Sequence, residues 1–289
     1  MSTPVFALDR VSYYYQQHAA LHAVSLEIAA GSRVALLGAN GSGKSTLLRL
    51  LDGLYFATEG QLHAFGELLS EAALAEEASH YAFRRRVGLV FQNPDVQLFN
   101  PTVFDELAFG PLQLGWPEAQ IRSAIDATLQ QFGISHLQQR APHRLSGGER
   151  KRVALASVLI MQPEVLLLDE PTAALDPASQ SEVIRFLQES QGQGRTIITA
   201  THDLDSVADI ADHVIVLADG QVVAQGSPAD ILSDHALLAR THLLHAHPHR
   251  HADGQVHSHP HQHGHRHDHG NNAGRYRRFG MGRTPQDNG

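Results

Sequence analysis

An α/β domain built on a mainly parallel sheet is the fold class this chain predicts, and three observations predict it. Short apolar runs alternate with amphipathic stretches from Val5 to about Ala239, a glycine-rich turn joins one run to a helical stretch, and residues 93–161 carry helix signals without a convincing strand. The runs Arg33–Gly38, Val87–Phe91, Val165–Asp169, Thr196–Thr199 and Val214–Leu217 read as buried strands, because short continuous apolar segments suit a sheet covered on both faces. Strands separated by helices favour parallel pairing. Within the helical stretch, Pro117 opens a segment with Ile121, Ile125, Leu129 and Phe132 on one face, closed by Gly133.

Length and composition narrow the function classes. The 289 residues allow one large or two modest domains, and 42% hydrophobic with 18% charged residues is globular. No apolar run approaches the ~18 residues of a membrane span. The chain has no cysteine, which removes disulfides and thiolate chemistry, and Met1 is not followed by a signal-peptide pattern, so a cytoplasmic setting is expected. The net charge of −8 is unevenly spread: residues 241–289 hold six Arg and three Asp, which leaves 16 basic and 27 acidic residues before them. An acidic body argues against nucleic acid as a partner. Lysine occurs twice, at Lys44 and Lys151, against 20 Arg, so its geometry is expected to matter there.

The segment Gly38-Ala39-Asn40-Gly41-Ser42-Gly43-Lys44-Ser45, continuing into Thr46, fits G-x-x-x-x-G-K-[ST] between a strand and a helix. Its backbone N–H groups suit phosphate oxygens, Lys44 suits the β and γ phosphates of ATP, and the Ser45 hydroxyl suits Mg²⁺. The strand Val165–Asp169 ends in two carboxylates, of which Asp169 suits the magnesium shell and Glu170 the activation of an attacking water. Ser146, Gly147 and Gly148, in Leu145-Ser-Gly-Gly-Glu149, precede a helical run from Arg150 to Ile160 and offer a second set of anion donors.

This pentapeptide resembles the signature motif of ABC-type ATPases, and further motifs agree in order over residues 1 to about 240. The resemblance implies a P-loop ATPase head with a mainly parallel core sheet, an antiparallel β subdomain and a helical insert at about 93–161. It makes Gln92 the Q-loop residue, joining the metal site to the insert, makes Ala174-Leu-Asp176 the D-loop, and places His202 near the γ phosphate. It also implies a head-to-tail dimer, in which the signature of one head completes the nucleotide site of the other. Tyr13, Tyr14 and Tyr15 offer a ring for adenine, and family spacing to Lys44 favours Tyr15, with Tyr13 sharing its face.

Phe91-Gln-Asn-Pro-Asp-Val-Gln-Leu-Phe99 and Thr102-Val-Phe-Asp-Glu-Leu-Ala-Phe-Gly110 resemble the Q-loop region of energy-coupling-factor importers, especially those for cobalt and nickel. That likeness implies a transmembrane coupling subunit, a metal-specific membrane subunit and a peripheral position on the cytoplasmic face of the cell membrane. Leu98, Phe99, Val103 and Phe104 are the expected contacts, unless they pack the insert onto the core.

The C-terminal stretch 241–289 reads as a disordered tail, poor in apolar residues. His245, His247, His249 and His251 alternate, as do His257, His259, His261, His263, His265, His267 and His269. Such spacing puts imidazoles on one side of an extended chain, where two to four can surround Ni²⁺, Co²⁺, Zn²⁺ or Cu²⁺. A solubilising tail is the plain alternative. Rival readings of the whole chain are a vitamin importer subunit, a non-transport ABC ATPase and a metal buffer. The second expects a basic surface or coiled-coil insert, and the third a broken catalytic motif; the chain has none of these.

Overall fold

Alternating apolar residues open the chain and give an antiparallel pair, β1 (Pro4–Tyr15) and β2 (His18–Ala29), in which Phe6 is in register with Ile28 and Leu8 with Leu26. The computed structural model describes residues 4–189, 194–244, 246–250 and 256–260. β3 (Arg33–Leu37), apolar after Arg33, leads through the glycine loop into α1 (Lys44–Leu51), and β4 (Glu59–Ala64) and β5 (Glu67–Leu68) complete a four-stranded antiparallel sheet. Short α2 (Glu71–Leu74) and α3 (Glu77–Arg86) precede β6 (Val87–Val90). Three helices then follow without a strand: α4 (Val103–Gln113), α5 (Glu118–Gln131) and α6 (Gly147–Leu159). On α5, Ile121, Ile125 and Leu129 form the buried face.

The remaining body is β7 (Val165–Asp169), α7 (Pro177–Glu189), β8 (Thr196–Thr201), α8 (Leu204–Ile210), β9 (His213–Ala218), β10 (Gln221–Gly226), α9 (Pro228–Ser233) and α10 (His235–Arg240). The core sheet has the order β10-β9-β3-β8-β7-β6 and is parallel except for β10. Both its faces are covered, so each central strand feeds two cores. Ala35 and Leu37 of β3 pack with the helical layer through Leu107 and Val153, whereas Val34 and Leu36 pack with α1 and the antiparallel sheet through Leu47 and Phe6. Double coverage is the physical reason these strands read as unbroken apolar runs.

Packing continues past α10. Leu243 joins the core, and the Thr241 hydroxyl donates to the carbonyl of Leu237 at 2.8 Å, so the packed body runs beyond residue 240. Within the stretch expected to be disordered, β11 (Ala246–Arg250) and β12 (Val256–Pro260) pair antiparallel, with His247 in register with His259 and His249 with His257. His245, His251, His261, His263, His265, His267 and His269 lie outside the described residues.

Candidate nucleotide site

The loop after β3 is built where only glycine fits. Gly43 has φ of 104°, and a Cβ there would lie 2.7 Å from the Ala20 carbonyl oxygen; at Gly38 it would lie 2.3 Å from Ser42 Oγ. Lys44 folds back across the loop, its Nζ donating to the carbonyls of Gly38 at 2.7 Å and Ala39 at 3.2 Å. Burial lowers its pKa, opposed by Glu170 and Asp169. Asn40 and Gly41 form the exposed tip, and nothing lies within 4 Å of a Cβ placed on Gly41. Ser42 Oγ is buried without a hydrogen-bond partner. A loop with an unsatisfied hydroxyl, a buried ammonium and open space above it is suited to a polyanion.

Opposite the loop, Asp169 closes β7. Its Oδ1 accepts from Ser45 Oγ at 3.0 Å, and burial raises its pKa although the Ser45 hydrogen bond lowers it. Glu170, the next residue, is 5% exposed and has φ of 47°, a left-handed conformation seldom adopted by a non-glycine residue. Its N–H donates to the Ala200 carbonyl at 2.9 Å, which ties the strained turn to β8. Its Oε1 lies 2.8 Å from His202 Nδ1 and 3.8 Å from Lys44 Nζ. Thus Lys44, Ser45, Asp169, Glu170 and His202 converge on one site from three strand ends.

Tyr15 adjoins this site. Its hydroxyl lies 3.4 Å from Thr46 Oγ1 and accepts from Arg49 Nη1 at 3.5 Å, while its ring is 39% exposed. Tyr13 is stacked on Tyr55 at 5.0 Å with an interplanar angle of 6°. Tyr15 meets both of these rings edge to face, Tyr13 at 5.0 Å and Tyr55 at 5.8 Å, and is the more exposed of the pair Tyr13 and Tyr15.

Gln92 lies two residues beyond the end of β6, and it is exposed. The signature differs from expectation in one respect: Gly147 and Gly148 are inside the first turn of α6, not ahead of it. Ser146 is the N-cap, accepting from Glu149 N at 3.3 Å while Glu149 Oε2 accepts from Ser146 N at 2.7 Å. Among the described residues, no hydrogen bond or ion pair joins Ser146, Gly147 or Gly148 to the P-loop. The segment from Asp176 to Ser179 adjoins the signature: a Cβ on Gly148 would lie 2.5 Å from Ser179 Oγ and 4.0 Å from Asp176 Oδ2. Asp176 accepts from the Ser179 hydroxyl and from the N–H groups of Ser179 and Ala178, which lowers its pKa.

A family model described as ABC transporter matches residues 21–173, a span holding the P-loop, Gln92, the signature and Glu170. The chain belongs to the ABC transporter family. It is 58% identical over 245 residues to the nickel import ATP-binding protein NikO of Rhodobacter capsulatus, covering 84% of this chain and 96% of that one. It is 41% identical over 237 residues to the energy-coupling factor transporter ATP-binding protein EcfA of Methanothermobacter thermautotrophicus, covering 82% and 75%. The solved structure of cbiO1 from Clostridium perfringens, part of the ABC transporter complex cbiONQ, superposes with a TM-score of 0.71 at 37% identity, covering 83% and 95%. This ABC protein is a transport ATPase whose head carries the expected P-loop fold.

Two features of this ABC head were not assigned from the sequence. Lys151 is 1% exposed and donates to the carbonyls of Phe91 at 3.1 Å and Gln92 at 3.0 Å; burial lowers its pKa to about 8, against the pull of Asp169 and Glu170. Its rarity as one of two lysines was the only signal. The insert's expected contacts also divide. Leu98 and Val103 are buried and Phe104 half-buried, so these pack the insert onto the core. Phe99 stays exposed with Val96, Phe109 and Leu112, its turn pinned by Glu106 Oε2, which accepts from Phe99 N and Asn100 N. Phe99 and Phe109 meet edge to face at 5.0 Å.

Proposed function

We propose that the chain is the ATP-hydrolysing subunit of an energy-coupling-factor importer for a divalent transition metal, nickel or cobalt. The reading is carried by one observation: Lys44, Ser45, Asp169, Glu170 and His202 share a single site, while the signature residues Ser146, Gly147 and Gly148 are presented away from it. A complete site then needs a second head, placed head to tail.

At that site the P-loop amides from Gly38 to Thr46 hold the phosphates of ATP, Lys44 lies over the β and γ groups, and Tyr15 stacks on adenine. Ser45 and Asp169 present hard oxygens already 3.0 Å apart and suit Mg²⁺, with Gln92 completing the set. The ion supplies positive charge against the phosphate oxygens. Glu170 accepts a proton from the attacking water, and His202, held by Glu170, orients it toward the γ phosphate. Ser146, Gly147 and Gly148 of the second head close the other side with N–H donors.

The exposed set Val96, Phe99, Phe109 and Leu112 supports docking of a transmembrane coupling subunit, with the head peripheral on the cytoplasmic face of the membrane as part of the same reading. No described helix is long and apolar enough to cross a membrane. The nickel and cobalt assignment is supported by the 58% identity to the nickel import protein and by the alternating histidines of the tail. The test is co-expression with candidate membrane subunits, reconstitution in vesicles loaded with ATP, and uptake of radioactive nickel and cobalt. ATP-dependent uptake of either metal is expected; uptake of neither, with hydrolysis intact, refutes the substrate assignment.

A further inference from the structure

Partly buried polar contacts join two stretches that lie some 60 residues apart. Lys151 on α6 reaches the carbonyls of Phe91 and Gln92, as described above. Gln97 returns the contact: its Oε1 accepts from Phe91 N at 3.2 Å, and its Nε2 donates to the Ala154 carbonyl at 2.8 Å and Ser157 Oγ at 3.2 Å. Arg150 adds an ion pair, its Nε lying 3.1 Å from Asp95 Oδ1. Residues 150, 154 and 157 share one stripe of the helix, so the whole 91–97 segment lies along a single face of α6.

Burying an ammonium is costly, and an apolar side chain of similar length would fill the same volume at less cost. The hydrogen bonds of Lys151 go to two successive main-chain carbonyls, which orients the Phe91–Gln92 peptide from which the Gln92 side chain departs. Five residues before Lys151, the same helix begins at the Ser146 cap. The helix is thus a rigid rod with the signature at its N-terminus and the Q-loop fastened to its flank.

We propose that Lys151 and Gln97 are positioning residues that make the Q-loop and the signature helix one body. Gln92, at a head's own nucleotide, and Ser146, at its partner's nucleotide, are then displaced together. The coupling between two sites rests on the head-to-tail reading above; the tether itself does not.

The test compares full-length Lys151→Met, Lys151→Arg and Gln97→Leu with the unsubstituted protein, by hydrogen exchange without nucleotide and by steady-state hydrolysis. In Lys151→Met, amide exchange across 91–97 is expected to accelerate about tenfold while α1 is unchanged. Its kcat should fall about tenfold or more with KM within about threefold, because the loss lies in assembling the site rather than in binding ATP. Gln97→Leu should shift both readouts the same way, and Lys151→Arg, which keeps donors for the two carbonyls, should recover most of kcat. Should Lys151→Met not fold, Gln97→Leu carries the test, since Gln97 is only half-buried. Unchanged kcat in a folded variant with accelerated exchange overturns the proposal, as does Lys151→Arg behaving no better than Lys151→Met. Turnover retained by Ser146→Arg would instead refute the head-to-tail reading and leave the exchange result standing.

Discussion

His202 Nδ1 and Glu170 Oε1 lie 2.8 Å apart because each residue directly follows one of two neighbouring parallel strands. The register of β7 and β8, with Asp169 opposite Ala200, brings the next residue of one strand beside the exit of the other. The pair places a carboxylate and an imidazole beside the Lys44 ammonium, which lies 3.8 Å from Glu170 Oε1. Glu170 keeps this position in a left-handed turn, and such strain persists only when surrounding bonds impose it.

Glu170→Gln should preserve ATP binding and lower hydrolysis by ~10² or more, since the amide keeps a similar shape but takes no proton from water. Nucleotide titration and phosphate release, with membrane partners present, check this. Near-normal hydrolysis would remove Glu170 from the role of base. Lys44→Ala should instead weaken nucleotide binding.

Ser146→Arg should abolish turnover while leaving ATP binding to a single head intact, because Ser146 makes no bond to its own P-loop. Mixed with Lys44→Ala protein, it should regain activity from one complete composite site per heterodimer. Verified heterodimers without any recovered hydrolysis would contradict the head-to-tail arrangement.

Asp52, 4% exposed at the C-terminal end of α1, is pushed up to about 7 by burial, although Arg84 Nη1 at 2.9 Å pulls it down. A folded pKa above the unfolded value means the folded state binds the proton more tightly. The contribution of Asp52 to stability is therefore full below about pH 4 and is lost as pH rises toward 7. Asp52→Asn does not titrate, so its melting temperature should gain on the parent by about 5 °C between pH 5 and pH 8. Parallel melting curves across that range would show that Asp52 is ionised throughout.

The alternating histidines should bind divalent metal when neutral and release it below about pH 6, near the ordinary imidazole pKa of ~6.5. A chain ended after Leu244 keeps the packed Thr241 and Leu243, so its basal hydrolysis should match the full chain while most Ni²⁺ and Co²⁺ binding is lost. Calorimetry on both proteins decides it: equal metal stoichiometry would eliminate the tail as a binding segment. Uptake at low external metal separates transport from buffering.

Strands β1, β2, β4, β5 and β10 were not read from the sequence, whereas the five parallel core strands, the helical insert, the glycine loop and the acidic strand end were legible in it. Each is local: apolar runs, helical periodicity and sterically required glycines are written in consecutive residues. Tertiary structure alone decided what long-range packing controls. Lys151 finds its carbonyls 59 and 60 residues away, a contact that local periodicity does not encode. Leu98 and Phe99 are adjacent and both apolar, yet the first is buried and the second exposed, because Glu106 on α4 sets the turn between them and the core. The separation of Ser146 from its own P-loop follows from α6 lying in the helical layer, on the opposite face of the core sheet from α1.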